Sequence, residues 1–131
     1  EAVADRHGFG DRPVPARAAA VRDSFRSHET ALLQPLLDYL SDHPKVRLIG
    51  RHRVAERAPT VAFTAKGHRS AELASRLAEL KLGVGVGNFY AYRLVKALGI
   101  DTDDGAVRVS FVHYTSEAEV GRLIEALDRL L

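Results

Sequence analysis

The sequence predicts an α+β domain, with a small mixed sheet of three to four strands and helices packed against it. Three observations lead there. Runs with a two-residue apolar period occur at 46–50, 60–64 and 106–114, and a shorter glycine-spaced one at 83–87. Around them, apolar residues recur at helical spacing over about 16–40, 70–80, 89–98 and 116–131. A chain of 131 residues, 46% hydrophobic and 27% charged, is long enough to bury one core and has the balance of a globular domain.

Taken in order, residues 1–15 hold Gly8, Gly10, Pro13 and Pro15 among scattered charges, which predicts a linker or partly disordered segment ahead of a domain over 16–131. Val21, Phe25, Leu32, Leu33, Leu36, Leu37 and Leu40 then mark a helix. Pro35 falls inside it. Proline deletes a backbone donor and crowds the preceding turn, so a kink or restart is expected near 30–34. A turn at 42–45 leads to the strand VRLIG. The basic loop at 51–57 could grip phosphate, yet it has no glycine-rich cradle or helix start, and a solvated loop is the simpler reading. TVAFT is the second strand, and Ser70 caps a helix with Leu73, Leu77 and Leu80 inside.

Gly83, Gly85 and Gly87 alternate with Val84 and Val86, so this short strand lacks side chains on one face and admits a ligand or another backbone. The spacing is only GxGxG, too little for a dinucleotide loop. Asn88 is expected to cap a helix over 89–98 that Gly99 stops in the left-handed conformation. Tyr90 and Tyr92 lie two apart, which points one inward and the other outward. Asp101, Asp103 and Asp104 resemble the start of a calcium loop, but without its closing glutamate they read as a solvated turn, and no metal is expected. In the next strand Val107, Val109 and Phe111 share one face; Arg108, Ser110 and Val112 share the other. With apolar residues on both faces, it is expected to lie in a sheet covered by helices. Ser116 and Glu119 form a capping box for a last helix that buries Val120, Leu123, Ile124 and Leu127.

The composition excludes several functions. There is no cysteine, hence no disulfide, thiolate metal site or cysteine nucleophile, as in a cytoplasmic protein. The net charge is only +2, and no strand interleaves aromatic and basic residues, so nucleic acid is not an expected partner. No apolar run could span a membrane, and no signal peptide opens the chain. The six histidines lack metal-binding spacing, no serine sits in a nucleophile elbow, and Lys45, Lys66, Lys81 and Lys96 hold surface-like positions. No catalytic residue is therefore assigned. Because the chain starts at Glu1 and contains no methionine, it is expected to be a piece of a longer protein.

What remains is a binding half-site: Arg108, the glycine-faced strand, and the aromatic residues Phe89, Tyr90 and Tyr92. A guanidinium in an apolar strand needs an anion or a route to water. Its planar fork suits a carboxylate or phosphate. A structural arginine that snorkels to solvent or pairs with an acid is the other reading, and periodicity leaves both open.

The stretch AVRVSFVHYTSEAEVGRLIEALDRLL, preceded by VRLIG, PTVAFT and GVGVGNFYAYRLVKALGI, resembles the C-terminal end of the class V aminotransferases and cysteine desulfurases, in particular the cysteine desulfurase-like subgroup. The likeness covers roughly 28–131 and implies the C-terminal small domain of a fold-type I pyridoxal phosphate enzyme. It implies that Arg108, in RVS, holds the α-carboxylate of an amino-acid substrate, with Asn88 and Tyr90 as further candidate substrate contacts. Tyr90 stands where desulfurases carry a mobile cysteine; with no cysteine, the chain offers no persulfide route. Gly85 stands where many members have arginine. The cofactor lysine and phosphate-binding residues would belong to a large domain of the same chain, in an enzyme implied to be a homodimer. This piece alone is then expected to bind no cofactor and to be inactive. A free-standing small-molecule-binding or regulatory module is the alternative. The substrate and the choice among transamination, elimination and racemisation stay open.

Overall fold

The computed structural model describes residues 2–131; Glu1 lies outside the described residues. Four strands form one sheet: β1 (Val46–Ile49), β2 (Thr60–Ala65), β3 (Gly85–Gly87) and β4 (Ala106–Ser110), in the order β1-β2-β4-β3. Among the described residues, five α-helices accompany them: α1 (Ala2–Arg6), α2 (Val14–Asp42), α3 (Ser70–Glu79), α4 (Tyr92–Ala97) and α5 (Glu117–Leu130). Every strand pairing is antiparallel, which corrects the expected mixed sheet. The reason is an insertion. β2 and β3, linked through α3, do run the same way, but β4 lies between them and opposes both, a split βαβ arrangement.

Strand alternation decides which face packs. Val61 and Phe63 pair with Val109 and Val107, and all four are buried on the same side. Against them pack Leu32, Leu33, Leu36, Leu37 and Leu40 of α2, Leu73 and Leu77 of α3, and Val120, Leu123 and Leu127 of α5. Each such side chain removed from water contributes about 1.5–3 kcal/mol, and this layer holds the fold together. The opposite face of β4 stays open: Arg108 and Ser110 are exposed, so the expected covering of both faces is not found. Leu80 is also outside the core, 45% exposed where α3 ends.

Two proline readings need correction. Pro13 and Pro15 do not make residues 2–15 a loop, since α1 occupies Ala2–Arg6 and α2 begins at Val14. Pro13 stands at the N-cap and Pro15 in the first turn, where a missing N–H removes no helical bond. At Pro35, α2 continues without a restart. Buried leucines on both sides of the proline, at 32, 33, 36, 37 and 40, hold the helix to the sheet across the missing bond. The first half of α2 is different: Val14 is 66% exposed, and Val21 and Phe25 are only partly covered. Among the described residues, no helix is long and apolar enough to cross a membrane.

Candidate functional site

The pleat of β4 turns Val107 and Val109 into the core and Arg108 onto the open face. The register sets Arg108 between Ala62 of β2 and Gly85 of β3. Both neighbours are small, which leaves room above the sheet. The Phe89 ring takes that room: a Cβ at Gly85 would stand 3.1 Å from Phe89 Cε1. The ring centroid lies 4.2 Å from Arg108 Cζ, within cation–π range. Among the described residues, no carboxylate lies within ion-pair distance of Arg108 and none of its guanidinium N–H groups has a hydrogen-bond acceptor. A cation–π contact consumes none of the guanidinium's five N–H donors, which stay available to an anion.

The turn that carries Phe89 is built by Asn88. Its Oδ1 accepts the backbone N–H of Tyr90 at 3.1 Å, its Nδ2 donates to the Thr102 carbonyl at 3.3 Å, and its own carbonyl accepts from Ala91 at 2.8 Å. Phe89 and Tyr90 consequently take left-handed backbone angles, φ 51° and 61°. The expected helix start at Phe89 is thereby corrected: α4 begins at Tyr92 after Ala91, and Asn88 shapes a turn instead of capping a helix. Tyr90 projects fully into solvent and Tyr92 is 51% exposed, so neither is the inward tyrosine; Val95 is the buried residue of α4. Gly99 does stop the helix at positive φ.

The loop before β4 is fastened by a residue read from sequence as solvated. Asp104 accepts the backbone N–H groups of Ser70 at 2.7 Å and Ala71 at 3.4 Å and lies 3.6 Å from the Arg69 guanidinium. Asp104 therefore caps α3, while Ser70 is its first helical residue and donates its hydroxyl to the Gly105 carbonyl at 3.1 Å. Partial burial alone would raise the Asp104 pKa, but the bonds from Ser70 and Ala71, with Arg69 nearby, outweigh it and hold the carboxyl below its usual value. No group of acids and histidines suited to a metal occurs among the described residues.

The basic loop at 51–57 is structural. Arg57, whose partial burial lowers its pKa, donates to the carbonyls of Ile49 at 3.3 Å, Thr60 at 3.2 Å and Arg51. Arg51 and Arg53 pair with Glu56. No local pattern announces Arg57, because two of its three acceptors are the facing ends of β1 and β2. A cleft of about 1210 Å³ runs along the first half of α2, bounded by α1 and residues 54–59. It includes none of Arg108, Asn88 or Tyr90. Its size does not make it the chemical site; Arg108, braced by Phe89, lies on the open sheet face instead.

The model of the family described as aminotransferase class-V matches residues 18–123. An aminotransferase-like protein, FGM3, of Gibberella zeae is 36% identical over 94% of this chain and 30% of its own length. A probable cysteine desulfurase of Pseudomonas putida is 35% identical over 79% of this chain and 24% of its own. The solved apo structure of a cysteine desulfurase from Thermococcus onnurineus superimposes with a TM-score of 0.75 at 25% identity, covering 88% of this chain and 30% of that one. The chain thus spans less than a third of the proteins it matches. By a family match over most of its length, on a fold that solved members share, the chain belongs to the class V aminotransferase family.

Proposed function

We propose that this chain is the C-terminal, substrate-closing domain of a cytoplasmic pyridoxal phosphate enzyme of the aminotransferase or cysteine desulfurase-like kind, in which Arg108 grips the α-carboxylate of an amino-acid substrate. The observation that carries the reading is Arg108 itself, a cation presented on an open sheet face, braced by Phe89, with no carboxylate within ion-pair distance among the described residues. The in-plane fork accepts a carboxylate through two parallel hydrogen bonds. Tyr90, fully exposed and next to Phe89 in sequence, is the side chain the turn offers to substrate, while Asn88 contributes by holding that turn.

The cofactor, when bound, supplies an electron sink for the substrate amine. The residues of this chain do not fit a holder for it. Lys45, Lys66, Lys81 and Lys96 are all exposed, which suits none of them to a buried imine, and Arg108 is exposed as well. In this reading the lysine and phosphate cradle belong to a large domain of the same polypeptide, in a homodimeric enzyme, and this piece alone is inactive. Its own work is to bind and orient the carboxylate and to exclude water from that side of the substrate.

The test is Arg108→Ala in the enzyme that carries this chain. Losing a charge-assisted bidentate contact should raise the KM for the amino-acid substrate about 10- to 100-fold and lower kcat/KM, with cofactor absorbance retained. An unchanged kcat/KM would overturn the role. Mixing the 131-residue protein with pyridoxal phosphate and reducing with borohydride should leave no specific adduct; one stoichiometric adduct would contradict the division of labour.

A further inference from the structure

We infer that Phe89 is a positioning residue for Arg108 and that Gly85 is the gap that lets it act. The inference rests on the carboxylate reading of Arg108 and adds which residues aim that arginine. An arginine on an open sheet face has four rotatable bonds and a long reach, so left free it would spread its fork over many directions. Here one face of the guanidinium is covered. The centroid of the Phe89 ring lies 4.2 Å from Cζ, a contact that narrows the directions the fork can take while using none of its N–H donors.

Three features converge on that placement. Phe89 and Tyr90 hold left-handed angles that cost a non-glycine residue about 1–3 kcal/mol each and persist only where neighbours impose them. Asn88 imposes them by using both ends of its amide, one on the Tyr90 N–H and the other on Thr102, 14 residues away. Gly85, paired across the ladder with Arg108, is the third: any side chain there would enter the space of the ring, 3.1 Å from Cε1 and 3.4 Å from Cζ of Phe89. The strained turn delivers the ring, the missing side chain admits it, and the ring orders the arginine. Pre-ordering the fork reduces what a carboxylate must freeze on binding.

The experiment uses the 131-residue protein, with NMR of the Arg108 side chain and acetate as the probe, titrated against chloride at fixed ionic strength. In the parent protein the δ-methylene protons of Arg108 should show an upfield ring-current shift, and acetate should move its Nε–Hε signal. Phe89→Leu should abolish the ring-current shift and weaken acetate about two- to fivefold. Phe89→Tyr should restore both. Gly85→Val reaches the same end without touching Phe89, by pushing the ring aside, and it places a good strand former in β3; a retained thermal transition separates its effect from loss of fold. If Phe89→Leu and Gly85→Val bind acetate as the parent does while Arg108→Ala loses it, the positioning role is wrong and the carboxylate reading stands. If Arg108→Ala leaves acetate binding intact, the carboxylate reading itself falls, and the positioning role with it.

Discussion

Asp104 caps a helix that begins 34 residues before it: its carboxylate accepts the Ser70 N–H at 2.7 Å and ties the turn ahead of β4 to the start of α3. One side chain thereby sets both the helix and the strand that carries Arg108.

Asp104→Ala should cost about 0.5–2 kcal/mol at neutral pH, the usual loss for a missing cap. The sign of its pH dependence follows from the direction of the shift. The folded carboxyl sits below the ordinary value of 3.8, so its contribution is complete above that value and disappears as the pH falls through the folded one. Urea midpoints at pH 7 and below pH 3 check this. The gap between parent and variant should be clear at pH 7 and narrow in acid; a gap that widens in acid would remove the capping role.

Glycine substitutions separate two environments. Gly105 has φ 68° and a Cβ there would run into the backbone of Gly87, so Gly105→Ala should destabilise by at least about 3 kcal/mol or prevent folding. Gly121 lies within α5 and a Cβ would meet nothing within 4 Å. Gly121→Ala should stabilise by about 0.5–1 kcal/mol through helix propensity. Thermal unfolding of the pair decides it, and similar melting temperatures would contradict the close approach of Gly87 in β3 and Gly105 in the turn before β4.

The core makes a third contrast, within one helix. Leu36 is fully buried under the sheet, and Leu36→Ala should cost about 2–5 kcal/mol. Val14, 66% exposed in the first turn of α2, should change by no more than about 0.5 kcal/mol when cut to alanine. Equal losses in chemical denaturation would mean that the first half of α2 is packed as tightly as the second.

What the sequence made legible was what neighbours in sequence decide. Ser116 and Glu119 do form the expected capping box, because both partners lie within one turn. Gly99 ends α4 as expected, since a left-handed stop is a property of one residue. The cap of α3 is not legible locally, because its acceptor, Asp104, is distant in the chain, while Ser70 is a plausible local one. Asn88 reads as a helix start because an Asx turn and an N-cap use the same bond, a side-chain oxygen to an N–H two or three residues on. Arg108 stands out by its odd place in an apolar strand. That its face is open follows only from the sheet, because Val112, which in sequence makes that face apolar, lies beyond the strand end at Ser110.

That open face also separates charge from shape at Arg108. Arg108→Lys keeps the charge but replaces a flat fork with a point charge on a flexible stem, which cannot stack on Phe89 in the same way or form two parallel bonds. If carboxylate binding depended on charge alone, lysine would preserve it. Because the geometry is set by the ring and by the small neighbours Ala62 and Gly85, we expect lysine to fall between arginine and alanine, with KM for the amino-acid substrate about tenfold above the parent in the enzyme that carries this chain. Steady-state kinetics of the three proteins at two salt concentrations test it. A lysine variant matching the parent at both would reduce Arg108 to a diffuse positive charge, and the stack on Phe89 would then have no part in binding.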